Sequence, residues 1–215
     1  MTASQGIPQW FYDENDRFNI WKPPLDYGRI AEDVLALERG VGSGWTETEV
    51  QSHLKSRPLM FDGLYRDGHG TFVFSEFRLG TEYVADWVIG SGHSGGVTWN
   101  LIELECPQSK PFINNGHFSA ATRKGVNQIK DWRIWIEHNA EHAAKPKSSH
   151  GLGLFDISCQ SRGIVVVGRR AVYGSLSGQQ KYAEVRKSAL HDEHIEVISY
   201  ETLIERMRFH IARAT

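Results

Sequence analysis

The sequence predicts a mixed α/β fold, in which a β-meander is followed by a long helix and by further strands. Alternation of apolar and polar residues over Phe72–Leu79, and two β-rich runs within Thr81–Pro107, predict the meander. A long helix is expected from about Ser119 to Ala144. The continuous apolar run within Arg162–Arg170 is typical of a buried strand. Together these segments predict helices packed on a mixed central sheet.

The N-terminal quarter of the chain predicts a small helical segment. Residues 1–27 carry aromatic side chains and prolines without periodicity, which predicts an irregular arm that packs on this chain or on a partner subunit. A helix is expected over Gly28–Arg39. Thr46 and Glu49 form a capping box that begins a second helix. A short strand is predicted over Met60–Tyr65.

The C-terminal part predicts an exposed helix, a short strand and a closing helix. The charged segment Gly178–His191 has the pattern of an exposed amphipathic helix, and Ile195–Ser199 that of a strand. Ser199 is suited to cap the closing helix. Four apolar side chains of that helix are expected to be buried, namely Leu203, Ile204, Met207 and Ile211.

The composition is that of an ordinary globular protein. The 215 residues are 40% hydrophobic and 23% charged, and the formal net charge is -2. This charge argues against a basic coat for nucleic acid, but it leaves room for a local basic patch. The two cysteines form no CxxC pair, and no apolar run approaches the length of a membrane span. With no signal-peptide pattern, the expected location is the cytoplasm, without membrane contact. Candidate patch residues are Arg123, Lys124, Arg162, Arg169 and Arg170.

Carboxylates are predicted to cluster on one face of the second hairpin. Symmetry about the Gly/Ser loop Ser91–Gly96 places Asp86 opposite Glu103, and Glu105 follows Glu103 on the same face. Carboxylates on a mostly apolar strand face repel one another and lose hydration, so they favour a cation. Oxygen ligands suit Mg²⁺ or Mn²⁺. The alternative is a solvated strand end with ordinary surface acids.

The first hairpin could add Glu76 and Arg78 to this face. Symmetry about its turn places Glu76 opposite Ala85 or Asp86. Arg78 follows on the same face, so that four carboxylates and one arginine would converge. A slip of one residue in the register would instead direct Glu76 to the other face.

The long helix offers a glutamine as a further site residue. Gln128, Trp132 and Trp135 are spaced so that they share one helix face. A glutamine beside two tryptophans is expected to be half-buried and to hydrogen bond, and the alternative is a solvated helix residue.

A competing motif lies at the end of the same helix. His138, Glu141 and His142 match the pattern HxxEH, which in zinc hydrolases places two histidines on one helix face. Zinc would need a third ligand, and no suitable helical glutamate follows. The alternative is a solvated helix end with histidines near the negative end of the helix dipole.

The order of several segments resembles the PD-(D/E)xK nuclease superfamily and, more narrowly, the Shedu antiphage nucleases. An Asp on one strand, an E-x-[EK] pair on the next, and a glutamine on the following helix carry the resemblance. Its segments are EVQSHLKSRPLMF (Glu49–Phe61), FSEFRLGTEYVADWVI (Phe74–Ile89), WNLIELECP (Trp99–Pro107), GVNQIKDW (Gly125–Trp132), GIVVVGRR (Gly163–Arg170) and IEVISYETLIERM (Ile195–Met207).

The resemblance implies a restriction-endonuclease-like core over 58–215, preceded over 1–57 by the arm and two short helices. It implies a homo-oligomer, a dimer or tetramer, that cleaves phage DNA with Mg²⁺ or Mn²⁺.

By the same resemblance, Asp86 and Glu103 would ligate the metal, with Glu105 as an extra ligand or a base. Glu76 and Arg78 would correspond to the first acidic strand, and Gln128 would face the site. Glu105 stands where the superfamily usually has lysine. Arg78 or Lys130 would then supply the missing positive charge. The alternative is a catalytically silent module that keeps the nuclease fold and binds or scaffolds nucleic acid.

Overall fold

A five-stranded mixed sheet forms the centre of the protein. The computed structural model describes residues 6–20, 25–64, 69–113, 116–170 and 176–214. The strands β1 (Thr71–Leu79), β2 (Tyr83–His93) and β3 (Gly96–Leu104) form an antiparallel meander, and β4 (Arg162–Val166) and β5 (Ile195–Ile198) continue the sheet in parallel with β3. The spatial order is β1-β2-β3-β4-β5. This architecture confirms the predicted mixed α/β fold.

Helices cover both faces of the sheet. On one face, α4 packs over a cluster that includes Val88, Leu101 and Val165. On the other face, α2, α3 and α7 share an apolar cluster that includes Trp87 and Ile102. The helices are α1 (Gln9–Asn15), α2 (Tyr27–Ser43), α3 (Glu47–Ser56), α4 (Ala120–His138), α5 (Ala140–Ala144), α6 (Leu176–Glu193) and α7 (Tyr200–Ala214). Within the ranges given above, no helix has both the length and the apolar character to cross a membrane.

The register of the second hairpin agrees with the prediction. Trp87 lies opposite Ile102, and His93 lies opposite Gly96. The strands therefore continue to a two-residue turn, Ser94 and Gly95, which is shorter than the loop expected over Ser91–Gly96. The same register, continued by one residue, places Asp86 beside Glu103.

The backbone at Glu76 changes the direction of its side chain. Glu76 has φ 47°, in the left-handed region that is uncommon for residues other than glycine. Phe74 and Phe77 both pack on the α4 side of the sheet although they are three residues apart. Regular alternation is thus interrupted at Glu76, and its carboxylate pairs with Lys55 of α3.

Several predicted boundaries need correction. The prediction of a strand over Met60–Tyr65 is wrong, because Pro58–Gly63 forms a 3₁₀ helix whose apolar side chains enter the core. The first predicted helix is longer, since its left-handed cap is Gly44, with φ 99°. The long helix is shorter and ends at His138. The capping box of α3 and the Ser199 cap of α7 are confirmed, as is burial of the predicted α7 side chains.

The predicted arm is more regular than expected. It contains α1, whose Phe11 is fully buried with its ring centroid 4.6 Å from that of Phe72. The arm thus packs on its own chain through aromatic rings, which is one of the two arrangements that the sequence predicts. Its stretches 1–5 and 21–24 lie outside the described residues.

Candidate functional site

Four carboxylates meet where β3 ends. Asp86 lies on β2, Glu103 on β3, Glu105 directly after β3, and Glu47 at the first position of α3. The charges of Asp86, Glu105 and Glu47 all raise the pKa of Glu103, after the larger effect of burial. The sequence does not mark Glu47 as a site residue, because Glu47 is only one of several acids around the capping box. Its proximity depends on how α3 packs against the sheet.

Glu103 is the deepest member of this cluster. Glu103 is only 3% exposed, and its Oε2 atom has no hydrogen-bond partner among the residues that the structure describes. Burial, followed by the charges of Asp86 and Glu105, raises its pKa to about 9. Gly125 of α4 lies above it, where an added Cβ would approach the Glu103 Cγ to 3.4 Å. A carboxyl group in this environment requires either a proton or a cation.

Asp86 is fixed by the backbone of the neighbouring strand. The recorded pairing of β2 with β3 ends at Trp87 and Ile102. One residue further on, the Leu104 amide donates to the Asp86 Oδ2 atom at 2.9 Å. The carboxylate is therefore held against the end of β3, with its other oxygen available to a ligand.

Glu105 forms an ion pair with a lysine from the helix above. The Lys124 Nζ atom of α4 lies 3.1 Å from the Glu105 Oε1 atom. Burial lowers the pKa of Lys124, but the hydrogen bond and charge of Glu105 outweigh it and raise that pKa. The backbone of Glu105 is also fixed, because its amide donates to Val166 and its carbonyl accepts from the Tyr200 hydroxyl.

Lys124 provides the positive charge that the strand sequence lacks. The sequence instead predicts Arg78 or Lys130 for this role and Lys124 for a surface patch. In the structure, Lys130 pairs with Glu193, away from the carboxylates. The charges that act on Glu103 are those of Asp86, Glu105, Lys124 and Glu47. Glu76 and Arg78 are not among these charges. In place of the two predicted residues of β1, Glu47 of α3 and Lys124 of α4 act on Glu103.

Gln128 lies one helical turn after Lys124. Residues four apart share a helix face, so both side chains are presented on the same side of α4. Gln128 is half-buried, and its buried Oε1 atom has no hydrogen-bond partner within the described ranges of the chain. Trp132 and Trp135 are buried along the same face, as the spacing predicted. The amide oxygen is thus an acceptor without a protein donor.

The donor set fits a hard divalent cation at Asp86 and Glu103. All available donors are oxygens, and the Glu103 Oε2 atom is buried without a partner. Across the described ranges, no three acidic, histidine or cysteine side chains are already arranged as a ligand group. Mg²⁺ does not require one, since it commonly binds through one or two carboxylates and completes its shell with water and substrate phosphate.

The zinc motif does not have its expected geometry. α4 ends at His138, and Asn139 separates it from the short α5, so the two histidines do not share one continuous helix face. Glu141 is paired with Lys145, and the His142 ring packs edge-on to Trp135. The structure therefore gives the zinc hydrolase alternative no support.

Most of the predicted basic patch is neutralised within the chain. Arg162 pairs with Glu196 at 2.8 Å, and Arg169 lies 3.5 Å from Glu201. The other patch residues are also engaged: Arg170 pairs with Glu205, Arg123 donates to the Phe118 carbonyl, and Lys124 binds Glu105.

The fold and the site define an α/β protein with an acidic centre at one end of its sheet. The family model described as "Shedu protein SduA, C-terminal" matches residues 44–204, which is well over half of the chain. The chain belongs to the Shedu family, a family of antiphage defence. The matched range includes all four carboxylates and Lys124. A search of curated proteins found no match.

Proposed function

We propose that the protein is a metal-dependent DNA endonuclease that cleaves phage DNA. The observation that carries this proposal is the buried Glu103, whose Oε2 atom lacks a partner beside Asp86 and the Glu105–Lys124 pair. A buried carboxyl group with a strongly raised pKa, surrounded by like charges, is typical of functional sites. Family membership in antiphage defence is consistent with this activity.

Asp86 and Glu103 would hold the metal ion. Mg²⁺ or Mn²⁺ bound there would supply a Lewis acid for the scissile phosphate and lower the pKa of bound water. In that state Glu103 would be ionised, because the cation compensates for burial and for the neighbouring carboxylates. The hydrogen bond from the Leu104 amide holds the Asp86 carboxylate at the end of β3.

The remaining side chains would orient water and phosphate. Lys124 places positive charge where negative charge develops on the phosphate during attack. Glu105 orients Lys124 and offers a carboxylate that can accept the proton of the attacking water or add an oxygen to the metal shell. Gln128 can accept a hydrogen bond from that water through its unpartnered Oε1 atom.

The test is incubation of purified protein with linear and supercoiled DNA in Mg²⁺, Mn²⁺ or EDTA. The wild type should cleave with a divalent ion and not with EDTA, and Glu103→Gln should be inactive. Glu141→Gln is the matched control, because Glu141 is an exposed acid of α5 paired only with Lys145. Cleavage that survives in Glu103→Gln would refute the proposed site.

One observation favours a second function. Glu105 occupies the position where the resembling superfamily usually has lysine. A silent nuclease-fold module would bind DNA with normal affinity and cleave it in none of the three conditions. The homo-oligomer proposed for either function is measured by light scattering of the purified protein.

A further inference from the structure

An open cleft runs along α3 from Glu47 to Ser56. Residues four apart lie above one another on a helix, so α3 presents two adjacent rows of polar side chains. Together with Glu76 of β1 these rows line a cleft of about 570 Å³. The first row is Glu47, Gln51 and Lys55, and the second is Thr48, Ser52 and Ser56.

Glu47 belongs both to the lining of the cleft and to the acidic cluster. The charges of Glu105, Lys124 and Asp86 all act on the Glu47 carboxyl group, whose pKa is raised first by burial. From Glu47, the helix rise of 1.5 Å per residue carries the row about 12 Å to Lys55. That length corresponds to about three or four nucleotides of one duplex strand, at about 3.4 Å each.

The lining has the chemistry of a phosphate and sugar contact surface. Five lining residues carry hydroxyl, amide or ammonium groups, the types that bind DNA backbones without reading sequence, and the other two are the carboxylates Glu47 and Glu76. Gln51 has a buried Oε1 atom without a hydrogen-bond partner. Lys55 is the one cation of the lining described by the structure.

Glu76 of β1 binds the Lys55 ammonium group. Its carboxylate pairs with Lys55 while remaining 61% exposed. Its left-handed backbone, φ 47°, is a conformation that costs free energy for a residue with a side chain. An exposed pair of this kind contributes little to stability, so a phosphate can replace the carboxylate readily.

We propose that the α3 cleft is the track for the DNA strand that leaves the acidic site, and that Glu76 competes with a DNA phosphate for Lys55. The location of the scissile phosphate rests on the proposed nuclease function. Two features favour DNA as the occupant: Glu47 is shared by the cleft and the acidic cluster, and the cation of the cleft is held by an exchangeable carboxylate.

The test measures binding of a fluorescent duplex, and of its single strand, at several salt concentrations in EDTA. In Lys55→Gln the slope of log affinity against log salt should fall by about 0.9 for the duplex, the loss of one phosphate contact. When salt rises from about 50 to 200 mM, the fold-decrease in the DNA affinity of Lys55→Gln should then be about threefold smaller than in the wild type. Lys55→Arg should keep the salt slope of the wild type. Glu76→Gln should bind DNA several-fold more tightly and should keep the same salt slope.

Lys145→Gln and Glu141→Gln are the matched controls, because they remove either member of another exposed Lys–Glu pair. Equal slopes in Lys55→Gln and Lys145→Gln would overturn the track, as would weaker binding by Glu76→Gln or no DNA binding by the wild type. A wild type that binds but does not cleave in Mg²⁺ or Mn²⁺ would refute the nuclease proposal alone. The binding shifts would still decide whether the track exists.

Discussion

The Lys124 ammonium group of α4 lies 3.1 Å from the Glu105 carboxylate that follows β3. The two residues differ in environment, since Glu105 is 5% exposed and the Lys124 side chain is 58% exposed. A buried anion thus orients a cation whose other protons face solvent. A helix provides the positive charge that the strand position does not contain, next to Asp86 and Glu103.

Removing that charge should impair cleavage more than binding. In Lys124→Gln we expect the cleavage rate to fall by about 100-fold or more, the usual effect of losing one group that stabilises charge in the transition state. Single-turnover cleavage and equilibrium binding are measured separately. Lys130→Gln is the control on the same helix, because Lys130 pairs with Glu193 instead. Equal loss in both variants would contradict a special role for Lys124.

The stability of the metal-free protein should fall as pH rises from 4.5 toward 9. Burial raises the pKa of Glu103 from 4.5 to about 9 in the folded protein. The folded state therefore binds more protons than the unfolded state in this window, and the stabilising contribution present below pH 4.5 is lost with rising pH. Denaturant unfolding in EDTA should show a smaller decline in Glu103→Gln. A parallel pH profile for the two proteins would contradict this prediction.

Mg²⁺ should stabilise the wild type through Asp86 and Glu103. A ligand that binds only the folded state raises its melting temperature, and here it would also relieve repulsion among the carboxylates. We expect thermal melts at pH 7.5 to rise with Mg²⁺ in the wild type, and much less in Asp86→Asn or Glu103→Gln. Glu141→Gln should respond as the wild type does. An unchanged melting temperature in the wild type would argue against metal binding.

Acid should destabilise the α2–α3 contact through His53. Its Nε2 atom lies 3.0 Å from the Asp33 carbonyl and donates to it, and the ring packs beside Trp45. Burial lowers the pKa of His53 below 6.5, so the unfolded chain takes up the proton first as pH falls. Stability should then decline below about pH 6.5, and less steeply in His53→Gln. The exposed His138→Gln is the control, and an unchanged slope in His53→Gln would contradict the mechanism.

Gly125 should resist substitution because α4 lies close to the sheet there. A Cβ atom at this position would come within 2.7 Å of the Val165 Cγ1 atom. We expect Gly125→Ala to cost about 1–3 kcal/mol and to reduce activity by displacing Lys124. The control is Gly42→Ala in α2, where an added Cβ meets nothing within 4 Å and should stabilise by up to about 1 kcal/mol. Similar stability of the two variants would show that α4 can adjust.

Much of the sheet could be predicted because its information is local. The turn residues Ser94 and Gly95 and the flanking β-rich runs define one register, and that register places Asp86 beside Glu103. The same reasoning also predicts the register of the first hairpin, in which Glu76 lies opposite Asp86, but it does not predict the direction of the Glu76 side chain. A single left-handed residue interrupts the alternation, and no pattern of side-chain types marks a non-glycine residue for that conformation.

Strand periodicity and turn chemistry depend on neighbouring residues, so the mixed α/β fold, the meander register and the strand carboxylates are predictable from the chain alone. Tertiary packing was needed to bring Lys124 and Glu47 to the site and to pair Glu76 with Lys55. The position and rotation of a helix on a sheet depend on contacts between distant segments. The close approach of Gly125 to Val165 is one such contact, and it brings Lys124 to Glu105.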